Sequence, residues 1–88
     1  MISAAQIRAA RALLGFSQRE LSEVATVGIA TVKRIELATE ISGSARTLWK
    51  VQKALEDADI EFIPADELKG PGLRLRRAVG GKRKARKR

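Results

Sequence analysis

The chain has 88 residues, 44% of them apolar, which is enough for one small domain around one modest core. It contains neither Cys nor His, so disulfides, thiolate or imidazole metal sites and the commonest general base are excluded. The net charge of +8 is unevenly placed: residues 1–68 carry eight bases against ten acids, and residues 69–88 carry ten bases and no acid.

The first predicted element is a helix over Ala4–Leu14. Ser3 caps it with Gln6 three residues on, and Ile2 can staple to Ile7. Ile7, Ala10 and Leu14 form its inner stripe, with Leu13 at the border, and Gly15 ends it where a left-handed residue is needed. A second helix, Gln18–Ala25, opens with the capping box Ser17-x-x-Glu20 and the staple pair Phe16 and Leu21. Leu21, Val24 and Ala25 are its expected apolar stripe. Thr26-Val27-Gly28 leaves room only for a sharp turn, with Gly28 as the cap of a third helix, Ile29–Leu37, whose inner residues are Val32 and Ile35.

Residues 39–43 read as a loop. Ser44 then caps a fourth helix, 45–58, packed through Leu48, Val51, Leu55 and Ala58. Trp49 stands beside that stripe, either as a border core residue or as a stacking platform for a base. The core reading is preferred, because a lone aromatic makes no platform. Glu56, Asp57 and Asp59 crowd a helix end that disfavours anions. That end should fray or be held by something basic, with a weak Mg²⁺ site as the minor reading.

Residues 60–63 are strand-prone and stop at Pro64. Gly70-Pro71 signals a turn, and residues 72–76 alternate apolar and basic. The two runs should pair antiparallel, with Leu73 and Leu75 over the core. Phe62, Ile63, Leu73 and Leu75 would also offer an apolar strand edge to a second copy. Val79-Gly80-Gly81 reads as a joint. Beyond it, residues 82–88 hold six bases in seven positions, too self-repelling to fold alone. The expected organisation is therefore a helical domain over 1–59, a β-hairpin and possible dimerisation element over 60–77, and a disordered basic tail over 78–88.

Two short helices across a tight Gly-bearing turn form a helix-turn-helix pattern, which any corner of a small bundle also satisfies. The run Ser17-Gln18-x-x-Leu21…Thr31-Val32-Lys33-Arg34-Ile35-Glu36, with Ile7-Arg8-x-x-Arg11…Gly15 ahead of it, resembles the phage Cro/repressor-like (XRE-type) transcriptional regulators. The resemblance covers about residues 6–55. It implies a mainly α, four-helix Cro/repressor-like domain, followed here by the short hairpin and tail. It also implies that Arg11 pairs with Glu36, the residue closing the recognition helix; two separate solvated charges are the alternative. The chain departs from the family at two points. The family usually has Gly where Thr26 stands and Ser or Thr where Gly28 stands. The segment after the fourth helix reads as strand instead of the family's fifth helix.

DNA recognition needs a helix whose N-terminal side chains enter the major groove. In the third helix those positions are Gly28, Ile29, Ala30, Lys33 and Arg34. Ile29 and Ala30 can meet thymine methyls, and Lys33 and Arg34 can donate to guanine O6 and N7. Gln18, Thr31 and Arg46 are the expected phosphate contacts of the body, and Lys82, Arg83, Lys84, Arg86, Lys87 and Arg88 those of the tail. No catalytic constellation or cofactor motif is present, and no metal site is assigned beyond that minor reading: the serines lack a base with an orienting group, and the Lys69-Gly70-Pro71-Gly72 stretch lacks phosphate-loop spacing.

The reading is a non-enzymatic regulator, most simply a repressor, binding duplex DNA as a homodimer. It would be cytoplasmic and nucleoid-associated when bound, with no membrane partner. No apolar run approaches the ~18 residues of a membrane span, and the N-terminus has no basic-then-apolar leader pattern. The alternatives are the antitoxin of a toxin–antitoxin pair, with a toxin protein as partner, or an RNA-binding module working through its tail. A protein that uses the helix-turn-helix only for packing is a further one.

Overall fold

The computed structural model describes residues 2–37 and 44–77. The loop expected over 39–43 and the tail expected over 78–88 lie outside them. Within the described residues, four helices precede one two-stranded sheet: α1 (Ala4–Leu14), α2 (Gln18–Ala25), α3 (Ile29–Leu37), α4 (Ala45–Asp57), β1 (Ile60–Ile63) and β2 (Gly72–Leu75).

Local sequence places the helix starts. Ser3 Oγ accepts from Gln6 N–H while Gln6 Oε1 accepts from Ser3 N–H, and Ser17 and Glu20 make the same reciprocal pair. Ser44 Oγ accepts from Thr47 N–H at the start of α4. The helix ends are just as local. Gly15, at φ 76°, donates to Ala12 O, and Phe16 N–H donates to Arg11 O. Those two bonds form a Schellman closure.

The core gathers Ile7 and Ala10 of α1, Leu21 and Ala25 of α2, Val32 and Ile35 of α3, Leu48, Val51 and Leu55 of α4, and Ile60 of β1. Three sequence expectations need correction. Val24 is 53% exposed, because α2 turns Leu21, Ser22 and Ala25 inward and that face leaves Val24 on its flank. Trp49 is 61% exposed for the same reason: Leu48, Val51 and Leu55 occupy the inner face of α4. Leu13 is likewise exposed.

α4 stops at Asp57, one residue short of the expected end. Asp59 at φ 80° reverses the chain into β1. The hairpin is antiparallel, with Ile60 opposite Leu75 and Phe62 opposite Leu73. Phe62, Leu73 and Leu75 lie against the body's own core and, like Ile63, are half-buried. A lone hairpin is marginal in water; here the helices supply its missing layer.

Polar bonds hold it in place. Gln6 Nε2 donates to Gly72 O at 2.9 Å. Arg77 Nε meets Asp59 Oδ2 at 3.1 Å, Arg76 lies 3.7 Å from Asp59 Oδ1, and Arg76 also donates to the Glu56 carbonyl. Lys53 pairs with Asp57 at 3.0 Å. The acidic end of α4 is thus held by cations, which suit a helix C-terminus.

Candidate nucleic-acid interface

The turn between α2 and α3 carries the Thr26 departure. Thr26 adopts φ 59° and ψ 48°, a left-handed conformation that a β-branched residue rarely takes. Its N–H donates to Glu23 O, and Val27 N–H donates to Ser22 O at 3.0 Å. This is the closure that Gly15 makes for α1, here built on Thr. Gly28 O then accepts from Thr31 and Val32 N–H to start α3. A Cβ added at Gly28 would meet only Thr31 Oγ1 at 3.9 Å, so the Ser or Thr usual in the resembled family would fit.

The far end of α3 is locked. Glu36 is 3% exposed. Its Oε2 accepts from Arg11 Nε at 2.9 Å, and its Oε1 accepts from Arg11 Nη2 at 3.1 Å and from Gln18 Nε2 at 3.0 Å. Arg11 Nη1 donates to Phe16 O, and Arg8 donates to the Glu36 carbonyl. One carboxylate therefore joins α1, the α1–α2 turn, the start of α2 and the end of α3. Two-pronged Arg–carboxylate contacts are strong and directional, so they set the angle between α3 and the rest of the body.

Spacing alone missed two members of this group. Gln18 was assigned to phosphate, yet one of its amide N–H groups is used on Glu36. Arg8, although exposed, reaches the Glu36 backbone carbonyl. Neither had a local signal, because both partners are distant in sequence.

The outward surface of α3 contrasts with its locked end. Gly28, Ala30, Lys33 and Arg34 are exposed, while Ile29 and Thr31 are half-buried. Neither Lys33 nor Arg34 makes an ion pair among the described residues. Arg46 is exposed in the first turn of α4, and so is Arg19 in the first turn of α2. Arg19 was not singled out from sequence, although its place beside Gln18 could have flagged it. Lys82, Arg83, Lys84, Arg86, Lys87 and Arg88 lie outside the described residues.

Among the described residues no group of carboxylates could hold a metal, and no helix is long and apolar enough to cross a membrane. A capped α2, a tight turn and an α3 with a clear outer face form a helix-turn-helix unit. Residues 7–62, more than half of the chain, match the helix-turn-helix family, and the protein belongs to it as a Cro/repressor-like regulator of the XRE type. No curated protein matches the chain.

Proposed function

We propose that this DNA-binding transcriptional regulator is a sequence-specific repressor acting on duplex DNA as a homodimer. The observation that carries the reading is the outer face of α3: Ala30, Lys33 and Arg34 stand exposed, the two cations without ion pairs among the described residues, on a helix whose far end is fixed by Glu36. Rigid placement matters because base-edge recognition tolerates little angular error, whereas phosphate contacts mainly position the protein.

In this reading Lys33 and Arg34 read base edges, and Gly28, Ile29 and Ala30 admit the groove floor closely. Gln18 keeps a second amide N–H for phosphate, and Thr31 and Arg46 flank it. The tail residues Lys82, Arg83, Lys84, Arg86, Lys87 and Arg88 add a sequence-independent grip on the backbone. One recognition helix spans few base pairs, so two copies reading half-sites one turn apart give the needed specificity. A cytoplasmic, nucleoid-associated location follows from that role.

The basic tail also supports the RNA-binding alternative, and an antitoxin would bind DNA in the same way. Arg34→Ala measured on a library of duplexes tests the main reading. A loss of about 1–3 kcal/mol with relaxed preference at one base position is expected. Equal loss on every duplex would assign Arg34 to phosphate, and no loss would remove α3 from the groove.

A further inference from the structure

Two of the exposed apolar features among the described residues bear opposite charge beside them. The first is a cleft of about 380 Å³ between α2 and α4. Val24 and Trp49 flank it, Ala25 and Ala54 lie among its lining residues, and Lys50 and Lys53 line it as well. Exposing a tryptophan and a valine side by side costs free energy that a partner would recover. Lys53 is paired with Asp57, whereas Lys50 has no ion-pair partner among the described residues.

The second feature is the hairpin tip. Leu68 is 90% exposed. It is held out by an ordered turn and not by a slack loop. Asp66 Oδ1 accepts from Leu68 N–H at 2.8 Å and from Lys69 N–H at 2.7 Å, and Asp66 N–H donates to Lys69 O at 2.9 Å. Those N–H groups hold the Asp66 carboxyl below its usual range, so the tip carries its charge. Glu67, beside Leu68, has no ion-pair partner among the described residues. The tip is therefore a preformed apolar knob with Asp66 and Glu67 on one side of Leu68 and Lys69 on the other, and the cleft is lined by apolar side chains and by Lys50, its acid Asp57 being paired with Lys53.

The two features sit on different flanks of one helix. Trp49, Lys50, Lys53 and Asp57 line the cleft, whereas Gln52 and Glu56 line the groove against Pro64, Ala65 and Pro71 at the base of the tip. The same turns of α4 thus separate knob and socket. A two-fold dimer in which each copy's tip fills the other copy's cleft has the reciprocal arrangement that closed dimers use.

We propose that a second copy of this chain occupies the cleft: Leu68 inserts between Val24 and Trp49, and Glu67 meets Lys50. The proposal rests on the homodimer reading and names its contact. It also gives the hairpin a role in assembly through its tip, since its apolar face is spent on the core.

Trp49 is the only tryptophan, so the emission follows the surroundings of the cleft. The full chain is diluted across the association range while sedimentation and Trp49 emission are followed together. The expected result is a blue shift that tracks self-association. Leu68→Asp, at a position exposed enough to leave the fold unaffected, abolishes both. Glu67→Lys weakens association, and adding Lys50→Glu restores it. Self-association without any change at Trp49, or a shift that survives Leu68→Asp, overturns this contact and leaves the dimer standing. A chain that stays monomeric throughout overturns both.

Discussion

The helix-turn-helix and the hairpin are held to the same core by different means. In the helix-turn-helix, the orientation of α3 depends on one buried residue, Glu36, whose carboxylate collects Arg11 and Gln18 and whose backbone carbonyl accepts from Arg8. In the hairpin, an apolar face lies on the core, and its ion pairs involve Arg74, Arg76 and Arg77, all well exposed. Buried charge is directional and costly to leave unpaired, whereas apolar contact tolerates small displacements. The recognition element has the rigid attachment and the hairpin the forgiving one.

Breaking the Glu36 junction should have the largest effect. Glu36→Ala leaves Arg11 without its carboxylate and Gln18 without its acceptor. A loss of about 3 kcal/mol is expected, at the low end for a buried pair because Arg11 is partly solvated. Urea unfolding measures it, and a double-mutant cycle with Arg11→Met isolates the pair. Coupling near zero would show that apolar packing alone sets the angle of α3.

The hairpin should respond less and more locally. Phe62→Ala removes a half-buried ring opposite Leu73, with an expected loss of about 2 kcal/mol, below the range for a fully buried aromatic. Hydrogen exchange should accelerate in β1 and β2 while α2 and α3 keep their protection. Equal acceleration in α3 would mean that the two regions unfold as one unit and that the contrast between them is false.

The smallest expected change sharpens the comparison from within the turn. Relieving a left-handed β-branched residue gains about 1–2 kcal/mol, and the extra freedom of glycine in the unfolded chain returns about 0.5–1 kcal/mol. Thr26→Gly should therefore stabilise the protein by about 0.5–1 kcal/mol, seen as a higher denaturation midpoint. A lower midpoint would show that the Thr26 side chain makes a compensating contact.

Most of the fold was legible in the sequence because it is written locally. Ser3, Ser17 and Ser44 cap the helices they precede, Gly15 closes α1, and Pro64 and Gly70-Pro71 bracket the hairpin tip. Each of these signals acts within a few residues of where it is read, so spacing is enough to find it. The exposed row of Ala30, Lys33 and Arg34 was legible for the same reason, since Val32 and Ile35 fix the inner face of α3.

Contacts across the chain were decided by packing alone. Val24 and Trp49 are apolar at helical spacing, and periodicity drew both toward the core; only the assembled helices show which flank of each apolar arc has no neighbour to cover it. Gln18 meets Glu36, Gln6 reaches Gly72, and Arg76 and Arg77 hold Asp59, each across a separation that no local pattern spans. Thr26 shows the same division. Its sequence argues against a left-handed residue, but the chain must leave α2 and enter α3 within three positions, and the buried faces of both helices impose the turn on it.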